Sequence, residues 1–122
     1  MILGVGIDLA EISRIEHACE KEHFRKRIFS ESENARIDER GWETAAGIFA
    51  AKEAVAKALG TGFRGFGPDS IEILTDEVGK PECHLYKGAL EQMQKMGAAR
   101  LHISITHTGD MAAAVAILEA DA

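Results

Sequence analysis

Two short stretches of the sequence contain the residue types that a Mg²⁺- and phosphate-handling site needs. The first is an apolar run that ends at Asp8, and the second runs from Lys52 through Glu53 and Lys57 into a glycine-rich segment at 60–67. Carboxylate oxygens suit Mg²⁺, lysines are point charges for phosphate oxygens, and glycines let backbone amides approach an anion closely. Together they would allow an enzyme to hold a divalent cation beside a chain of phosphates.

The same residues have explanations that involve no ligand. Asp8 could cap a helix that begins near Ala10. Glu53 and Lys57 have the Glu-to-Lys i,i+4 spacing, which contributes only about 0.2–0.5 kcal/mol on a helix surface. Gly60 could simply end its helix. The residue types alone therefore leave a metal and phosphate site and an ordinary helix surface both open.

The glycine-rich segment matches the pattern GxGxxG between Gly60 and Gly65, but it does not predict a dinucleotide-binding fold. That fingerprint must follow a strand and open a helix, whereas this one follows a helix. A Walker loop is also excluded, because no Lys-Ser or Lys-Thr pair completes it. What remains is a flexible turn with candidate anion contacts at Gly60, Gly62, Arg64 and Gly65.

Apolar spacing predicts a single α+β domain over residues 1–122, with antiparallel hairpins and one long central helix. We expect strands at 2–9, 70–75, 82–86, 100–106 and 111–118, and helices at 10–28 (one helix or two short ones), 42–59 and 87–96. The first strand should end at Asp8. The charged, aperiodic segment 30–41 is expected to be a mobile loop.

Composition limits the classes of function. The chain has 122 residues, 46% of them apolar, and a net charge of −6, which argues against nucleic acid as the main partner. No run approaches the roughly 20 apolar residues of a membrane span, and no signal peptide is recognisable, so a cytoplasmic protein is expected. Cys19 and Cys83 lack metal-binding spacing and are expected to be reduced thiols.

Four motifs in order give the chain a family resemblance. They are GVGIDLAEISRIE near the start, FAAKEAVAKALGTGFRGFG in the middle, GKP at 79–81 and ISITHTGDMAAAVAI near the end. With these motifs the chain resembles the bacterial holo-[acyl-carrier-protein] synthases, which are short-type 4'-phosphopantetheinyl transferases. Two positions depart from the family pattern, because Ile48 replaces a usual Arg and Thr106 replaces a usual Ser. Thr106 keeps the hydroxyl, whereas Ile48 removes a cation.

The resemblance implies a reaction and a set of site residues. The reaction is transfer of 4'-phosphopantetheine from coenzyme A to a serine of apo acyl carrier protein, with release of adenosine 3',5'-bisphosphate. Asp8 and Glu53 would bind Mg²⁺, Lys57 would contact the coenzyme phosphates, and Thr106 and His107 would help bind the phosphate-rich end of the coenzyme. The base that accepts the serine proton stays open between Asp8, Glu53 and a water. A homotrimer with active sites at subunit boundaries is also implied.

One further hypothesis concerns a partner, and two alternatives to an enzyme stay open. On a single helix from Ala10, the side chains of Arg14, Lys21 and Arg25 would form one basic stripe, a docking surface for an acidic carrier protein or an ordinary solvated face. The alternative to an enzyme is a non-catalytic nucleotide- or anion-binding module that uses the same residues. A third possibility is a purely structural oligomer subunit, which would show no Mg²⁺-dependent ligand binding.

Overall fold

The computed structural model describes residues 1–121, which form five strands and five α-helices. In chain order they are β1 (Ile2–Glu11), α1 (Ile12–Ala18), α2 (Glu22–Ile28), α3 (Glu31–Arg40), α4 (Trp42–Ala58), a 3₁₀ turn (Pro68–Ser70), β2 (Ile71–Thr75), β3 (Pro81–Leu85), α5 (Lys87–Met96), β4 (Arg100–Thr108) and β5 (Met111–Glu119). The predicted strands and the helices at 42–59 and 87–96 are therefore present, and the α+β class is confirmed. Within residues 1–121, no helix combines the length and apolar character that a membrane crossing requires.

The strands form two antiparallel sheets. The larger sheet has the order β1-β5-β4, and the smaller one pairs β2 with β3 around the turn at 76–80. In the larger sheet Asp8 lies opposite Ala114, which in turn lies opposite Ile105. Because side chains alternate between the two faces of a strand, these three residues share the face that α4 covers.

Helix α4 packs with its backbone directly against β1. A Cβ atom placed on Gly4 would lie 2.0 Å from the Ala58 carbonyl oxygen, and one on Gly6 would lie 1.9 Å from the Ala54 carbonyl oxygen. Both distances are far below van der Waals contact, so only glycine fits at these positions. The buried alanines of α4 complete the close approach, which brings the Glu53 and Lys57 side of the helix to β1.

The expectation of a mobile loop at 30–41 is wrong, because this segment is helix α3. Its start is a capping box, in which the Ser30 hydroxyl accepts a hydrogen bond from the Glu33 amide at 3.1 Å and the Glu33 carboxylate accepts one from the Ser30 amide at 2.8 Å. The Ser-x-x-Glu spacing is a sequence signal for a helix start. The only buried residues of α3 are Glu33 and Ile37, which explains the weak apolar periodicity.

The segment 10–28 contains the two short helices α1 and α2, which is one of the two arrangements expected for it. The first strand, however, continues past Asp8 to Glu11, and Glu11 is the residue that precedes α1. Asp8 therefore lies inside a strand rather than at its end, and the hypothesis that it caps a helix is wrong.

A buried ion pair joins α3 to α4. The Lys52 ammonium lies 2.8 Å from the Glu33 carboxylate, and the two side chains are 2% and 0% exposed. Lys52 also donates to the carbonyls of Ile28 at 2.7 Å and Pro68 at 3.2 Å, and the Ile73 amide donates to Glu33 at 2.7 Å. Lys52 is thus a structural residue, and of the two lysines in the chemical motif only Lys57 is available for a ligand.

Candidate active site

Asp8, Glu53 and Lys57 form one cluster where α4 crosses β1. The Lys57 ammonium donates to Asp8 Oδ1 at 2.9 Å and to the Ile7 carbonyl at 3.0 Å. Its side chain is 52% exposed and that of Asp8 is 18% exposed, so the pair faces solvent from one side. Lys57 therefore forms its ion pair with a residue 49 positions away and not with Glu53, its neighbour on the helix.

Glu53 carries an electrostatic strain that a cation would relieve. Burial raises the pKa of its carboxyl, the negative charge of Asp8 raises it further, and Lys57 opposes both effects. The carboxylates of Asp8 and Glu53 thus lie in one partly buried site with a single lysine, Lys57. No group of three or more His, Cys, Asp or Glu ligands occurs in residues 1–121, so a metal bound by protein atoms alone is not supported there. The donor set fits Mg²⁺, which typically takes one or two carboxylates and completes its shell with water and phosphate.

The glycine-rich loop after α4 requires glycine for its backbone shape. Gly60, Gly62 and Gly65 have φ angles of 80°, 57° and 82°, and no atom would meet a Cβ at any of them within 4 Å. These angles are strained for other residues, so backbone conformation, not space, requires glycine. The amides of Gly60 and Gly62 already donate to α4 carbonyls at 2.9 and 3.1 Å. An anion would have to use later amides of the loop or the exposed Arg64 side chain.

Helix α5 supports this loop, a contact that no sequence motif predicts. The Gln92 side-chain amide donates to the Leu59 carbonyl at 3.0 Å and so caps the end of α4 where the loop begins. A Cβ on Gly88 would lie 2.6 Å from Phe66 Cβ and 3.0 Å from the Gly65 carbonyl oxygen. The loop therefore packs against α5, and the glycine at position 88 allows this close contact.

Thr106 and His107 do not face the same site within one chain. They are consecutive in β4, so their side chains point to opposite faces of the sheet. His107 lies on the α4 side, with its Nε2 3.4 Å from the Glu43 carboxylate. Thr106 shares a face with its cross-strand neighbour Ala113 and, one strand further, with Leu9.

A cavity of about 270 Å³ adjoins His107 and is lined by two arginines that are not among the predicted site residues. Arg36 and Arg40 line it from α3, together with Ile48 of α4. In the described part of the chain neither arginine forms an ion pair, so both cations are available for a ligand. They were missed because 30–41 was expected to be a loop. The capping box at its start was the signal that could have placed them on a helix.

The charged residues of the candidate site thus fall into two clusters. Glu43, beside His107, and Glu53, beside Asp8, are ten residues apart on α4, which separates them by roughly 15 Å along the helix axis. We call the cluster of Asp8, Glu53 and Lys57 the carboxylate half-site. The cavity lined by Arg36, Arg40 and His107 is the arginine half-site.

The basic stripe expected on one continuous helix is not formed. The helix is interrupted between α1 and α2. Arg25 is bound by other residues of the chain. It donates to the Asn34 side chain at 2.9 Å and to Asp38 at 3.0 Å, and its guanidinium lies 5.8 Å from the Trp42 ring centroid. Arg14 and Lys21 are exposed, so only these two of the three predicted docking residues are free for a partner.

Comparison with known families decides the assignment of the chain. A family model described as the 4'-phosphopantetheinyl transferase superfamily matches residues 4–116. The chain belongs to this superfamily. The match includes both half-sites and the glycine-rich loop, so the phosphopantetheinyl transferase resemblance inferred from the motifs is confirmed.

Individual phosphopantetheinyl transferase relatives match over nearly their whole lengths. A holo-[acyl-carrier-protein] synthase of Clostridium tetani is 46% identical over 99% of this chain and 98% of its own. The crystal structure of the synthase from Neisseria meningitidis superposes with a TM-score of 0.87 at 34% identity, covering 98% of this chain and 99% of that one. The Helicobacter pylori synthase, solved in complex with coenzyme A, has a TM-score of 0.81 at 33% identity, covering 94% of this chain and 99% of that one.

Proposed function

We propose that this protein transfers 4'-phosphopantetheine from coenzyme A to a serine of apo acyl carrier protein, with Mg²⁺ as cofactor and adenosine 3',5'-bisphosphate as product. The observation that carries the proposal is the carboxylate half-site beside a glycine-rich loop. The names of the relatives and the coenzyme A complex of the Helicobacter pylori protein support it. Because both cysteines are free thiols, we place the enzyme in the cytoplasm.

The chemistry at this site is mainly positioning and charge neutralisation. Mg²⁺, held by Asp8 and Glu53, would neutralise charge that develops on the phosphate oxygens during transfer. Lys57 keeps Asp8 in place and would present its one remaining N–H group to a phosphate oxygen. The later amides of the glycine-rich loop and the Arg64 side chain would be further contacts for a phosphate. Asp8 or Glu53 can accept the serine proton if the hydroxyl approaches within hydrogen-bond distance.

The proposal is tested directly by mass spectrometry of apo acyl carrier protein after incubation with the protein, coenzyme A and Mg²⁺. We expect the carrier to gain the mass of one phosphopantetheine group, and an excess of chelator to prevent it. Binding of coenzyme A without any mass change in the carrier would favour the non-catalytic binding module. A protein that shows no Mg²⁺-dependent binding of coenzyme A would leave only a structural role.

We further propose a homotrimer in which the carboxylate half-site of one copy meets the arginine half-site of the next. The open face of the large sheet supports this proposal. Val5, Ile7 and Leu9 of β1 are 59%, 66% and 64% exposed there, next to the partly exposed Val115 and Ile117 of β5. A contiguous exposed apolar face of this kind is typical of an interface. Assembly would also join half-sites that one chain holds roughly 15 Å apart.

Replacing Val5 with Lys is expected to convert the trimer to monomers, because it places a charge at the centre of the proposed interface. Sedimentation velocity gives the mass, and the transfer assay should show activity falling with the trimer. Val78→Lys is the matched control, because Val78 is 88% exposed but lies on the turn between β2 and β3. A wild-type protein that sediments as a fully active monomer would contradict the trimer.

Arg14 and Lys21 are the residues that we propose for carrier-protein docking. Arg14 lines a cavity of about 340 Å³ beside α1, together with apolar residues that include Ile15 and Phe24. Acyl carrier proteins are strongly acidic, and local basic residues can attract one even though this chain has a net charge of −6. This cavity is mostly apolar, with Glu11 and Arg14 as its charged lining residues, and it would fit a helix that carries apolar and acidic residues.

Arg14→Glu combined with Lys21→Glu is expected to raise KM for the carrier protein about tenfold, roughly 1.4 kcal/mol, at low salt. KM for coenzyme A should stay within about twofold of wild type, since neither residue lies in a half-site. Arg27→Glu makes the same kind of charge change on α2 away from this cavity and serves as the control. Unchanged KM for the carrier in the double variant would show that the partner docks elsewhere.

A further inference from the structure

The turn between β4 and β5 is hydrogen-bonded to the start of α1, which is far from it in sequence. The Asp110 carbonyl accepts a hydrogen bond from the Ile12 amide at 2.8 Å. The Asp110 carboxylate accepts two more, from the Ser13 amide at 3.0 Å and from the Ser13 hydroxyl at 2.6 Å. One residue of the turn therefore accepts three hydrogen bonds from two consecutive residues of the helix. We call these three hydrogen bonds the Asp110 cap.

Helix α1 depends on the Asp110 cap, because its own sequence supplies no equivalent. In the described chain Glu11, the residue before α1, makes no side-chain capping hydrogen bond, and the first turn of α1 contains no acidic residue. The helix has only seven residues, and helices shorter than about 12–15 residues are marginal in water without tertiary support. The first amides of a helix need acceptors from outside it, and Asp110 accepts from two of them. The start of α1 is thus fixed by a residue that lies 97 positions from Ser13.

The helix that is fixed in this way carries Arg14, one of the two residues proposed above for carrier-protein docking. Arg14 follows Ser13 directly and is exposed, whereas Ile12 and Ile15 are buried. Burial of the two isoleucines determines which face of α1 lies against the fold. The Asp110 cap determines where the helix begins. Together they determine the point and the direction in which the Arg14 side chain leaves the backbone.

The charge of Asp110 indicates that its contribution to docking is geometric. Asp110 is exposed beside the docking cavity, because its neighbour Met111 lines that cavity together with Arg14. A negative charge at this place repels an acidic carrier protein. Both carboxylate oxygens of Asp110 are also already bonded to Ser13. A direct contact between this carboxylate and the carrier is therefore unfavourable, and Asp110 can assist docking only through the position of α1.

We propose that Asp110 is a positioning residue for carrier-protein recognition, which holds Arg14 at the docking cavity by capping α1, an inference that rests on the proposed function. Asp110 belongs to neither half-site, so its role is separate from the binding of coenzyme A and Mg²⁺. Loss of the cap should therefore weaken binding of the carrier protein and leave binding of coenzyme A unchanged.

The test compares two substitutions at position 110 by titration calorimetry with apo acyl carrier protein at low salt. Asp110→Ala removes both side-chain hydrogen bonds to Ser13 and is expected to raise Kd for the carrier about fivefold. Asp110→Asn removes the charge but keeps an oxygen that can accept from the Ser13 amide, and asparagine caps helices about as well as aspartate. Its Kd for the carrier should therefore stay within about twofold of wild type or fall. Both variants should bind coenzyme A, in the presence of Mg²⁺, within about twofold of wild type.

A double-mutant cycle with Arg14→Ala separates positioning of Arg14 from a general structural role. If Asp110 acts through Arg14, Asp110→Ala should raise Kd for the carrier by less than about twofold once Arg14 has been replaced. Ser13→Ala removes only the hydroxyl hydrogen bond, and its Kd should lie between those of wild type and Asp110→Ala. If Asp110→Ala does not fold, the same cycle with Ser13→Ala decides.

An unchanged Kd for the carrier in Asp110→Ala, equal losses in Asp110→Ala and Asp110→Asn, or effects that add fully to those of Arg14→Ala would each overturn the positioning role. An equal loss of coenzyme A affinity would also do so, as would a wild-type protein that does not bind the carrier. The outcome is separable from the transferase proposal, because binding is measured without transfer. Carrier binding that depends on the Asp110 cap, with no mass gain on the carrier in the wild-type assay, would keep the positioning role and reject the reaction.

Discussion

Glu53→Gln is expected to lower kcat/KM for phosphopantetheine transfer by more than tenfold, a loss of more than about 1.4 kcal/mol of transition-state stabilisation, even at saturating Mg²⁺. The amide keeps the size and shape of the side chain but removes the charge that a divalent cation requires. Asp8→Asn should have a comparable effect, with the additional loss of its ion pair to Lys57. If both variants retain more than about a tenth of wild-type kcat/KM, the metal assignment is wrong.

Although Glu53→Gln should lower activity, it should raise the stability of the metal-free protein. Burial and the Asp8 charge raise the pKa of Glu53 above its unfolded value, so the folded state favours the protonated form. Above the folded-state pKa, the charged carboxylate therefore destabilises the metal-free protein. We expect Glu53→Gln to have a higher Tm than wild type at pH 7 without Mg²⁺, and the difference to disappear as the pH falls below the ordinary pKa of Glu.

The same Tm measurement with added Mg²⁺ tests whether Glu53 binds the metal. Adding Mg²⁺ should raise the Tm of the wild type, because a ligand that binds only the folded state stabilises it, and should have little effect on Glu53→Gln. Glu91→Gln removes an exposed charge of α5 and serves as the control, with a Tm close to wild type under both conditions. A wild-type Tm that does not respond to Mg²⁺ would argue against a metal at this site.

The parts of the fold that depend on local pattern were predictable from the sequence. Alternating apolar residues placed the strands at 100–106 and 111–118, and the alanine-rich stretch before Gly60 placed α4. Helix α3 was missed because its two buried residues, Glu33 and Ile37, leave little apolar periodicity. The Ser30-x-x-Glu33 capping box is the one local signal of a helix start in this charged segment.

The sequence suggests candidate site residues but not how they are arranged. The motif placed Glu53 and Lys57 on one helix, but the partner of Lys57 is Asp8, which only the packing of α4 on β1 brings within 2.9 Å. From the sequence of α4 alone, Lys52 is as good a candidate for a phosphate contact as Lys57. The ion pair that occupies Lys52 comes from Glu33 of another helix, α3. The separation into two half-sites follows from the diagonal course of α4 across the sheet, which no short motif encodes.

Lys52→Met is expected to destabilise the protein by about 3–5 kcal/mol, measured as the free energy of unfolding in urea. The substitution leaves the Glu33 carboxylate buried with no positive partner. It also removes the donor to the carbonyls of Ile28 and Pro68, and an unsatisfied buried polar group costs about 1–3 kcal/mol. Lys57→Met, on the same helix but 52% exposed, should change stability by less than about 1 kcal/mol.

A double-mutant cycle with Glu33→Gln separates the ion pair from general damage to the core. The glutamine keeps one acceptor oxygen for the amide of either Ser30 or Ile73, so it removes the charge and one of these two hydrogen bonds. Because the uncompensated charge is the main cost in Lys52→Met, the double variant should be at least about 1 kcal/mol more stable than the sum of the two single effects implies. Additive effects would mean that Lys52 contributes through packing and its hydrogen bonds to the Ile28 and Pro68 carbonyls, and not through Glu33. Coupling would instead identify this pair as the electrostatic link that holds α3, and with it Arg36 and Arg40, against the helix that carries Glu53.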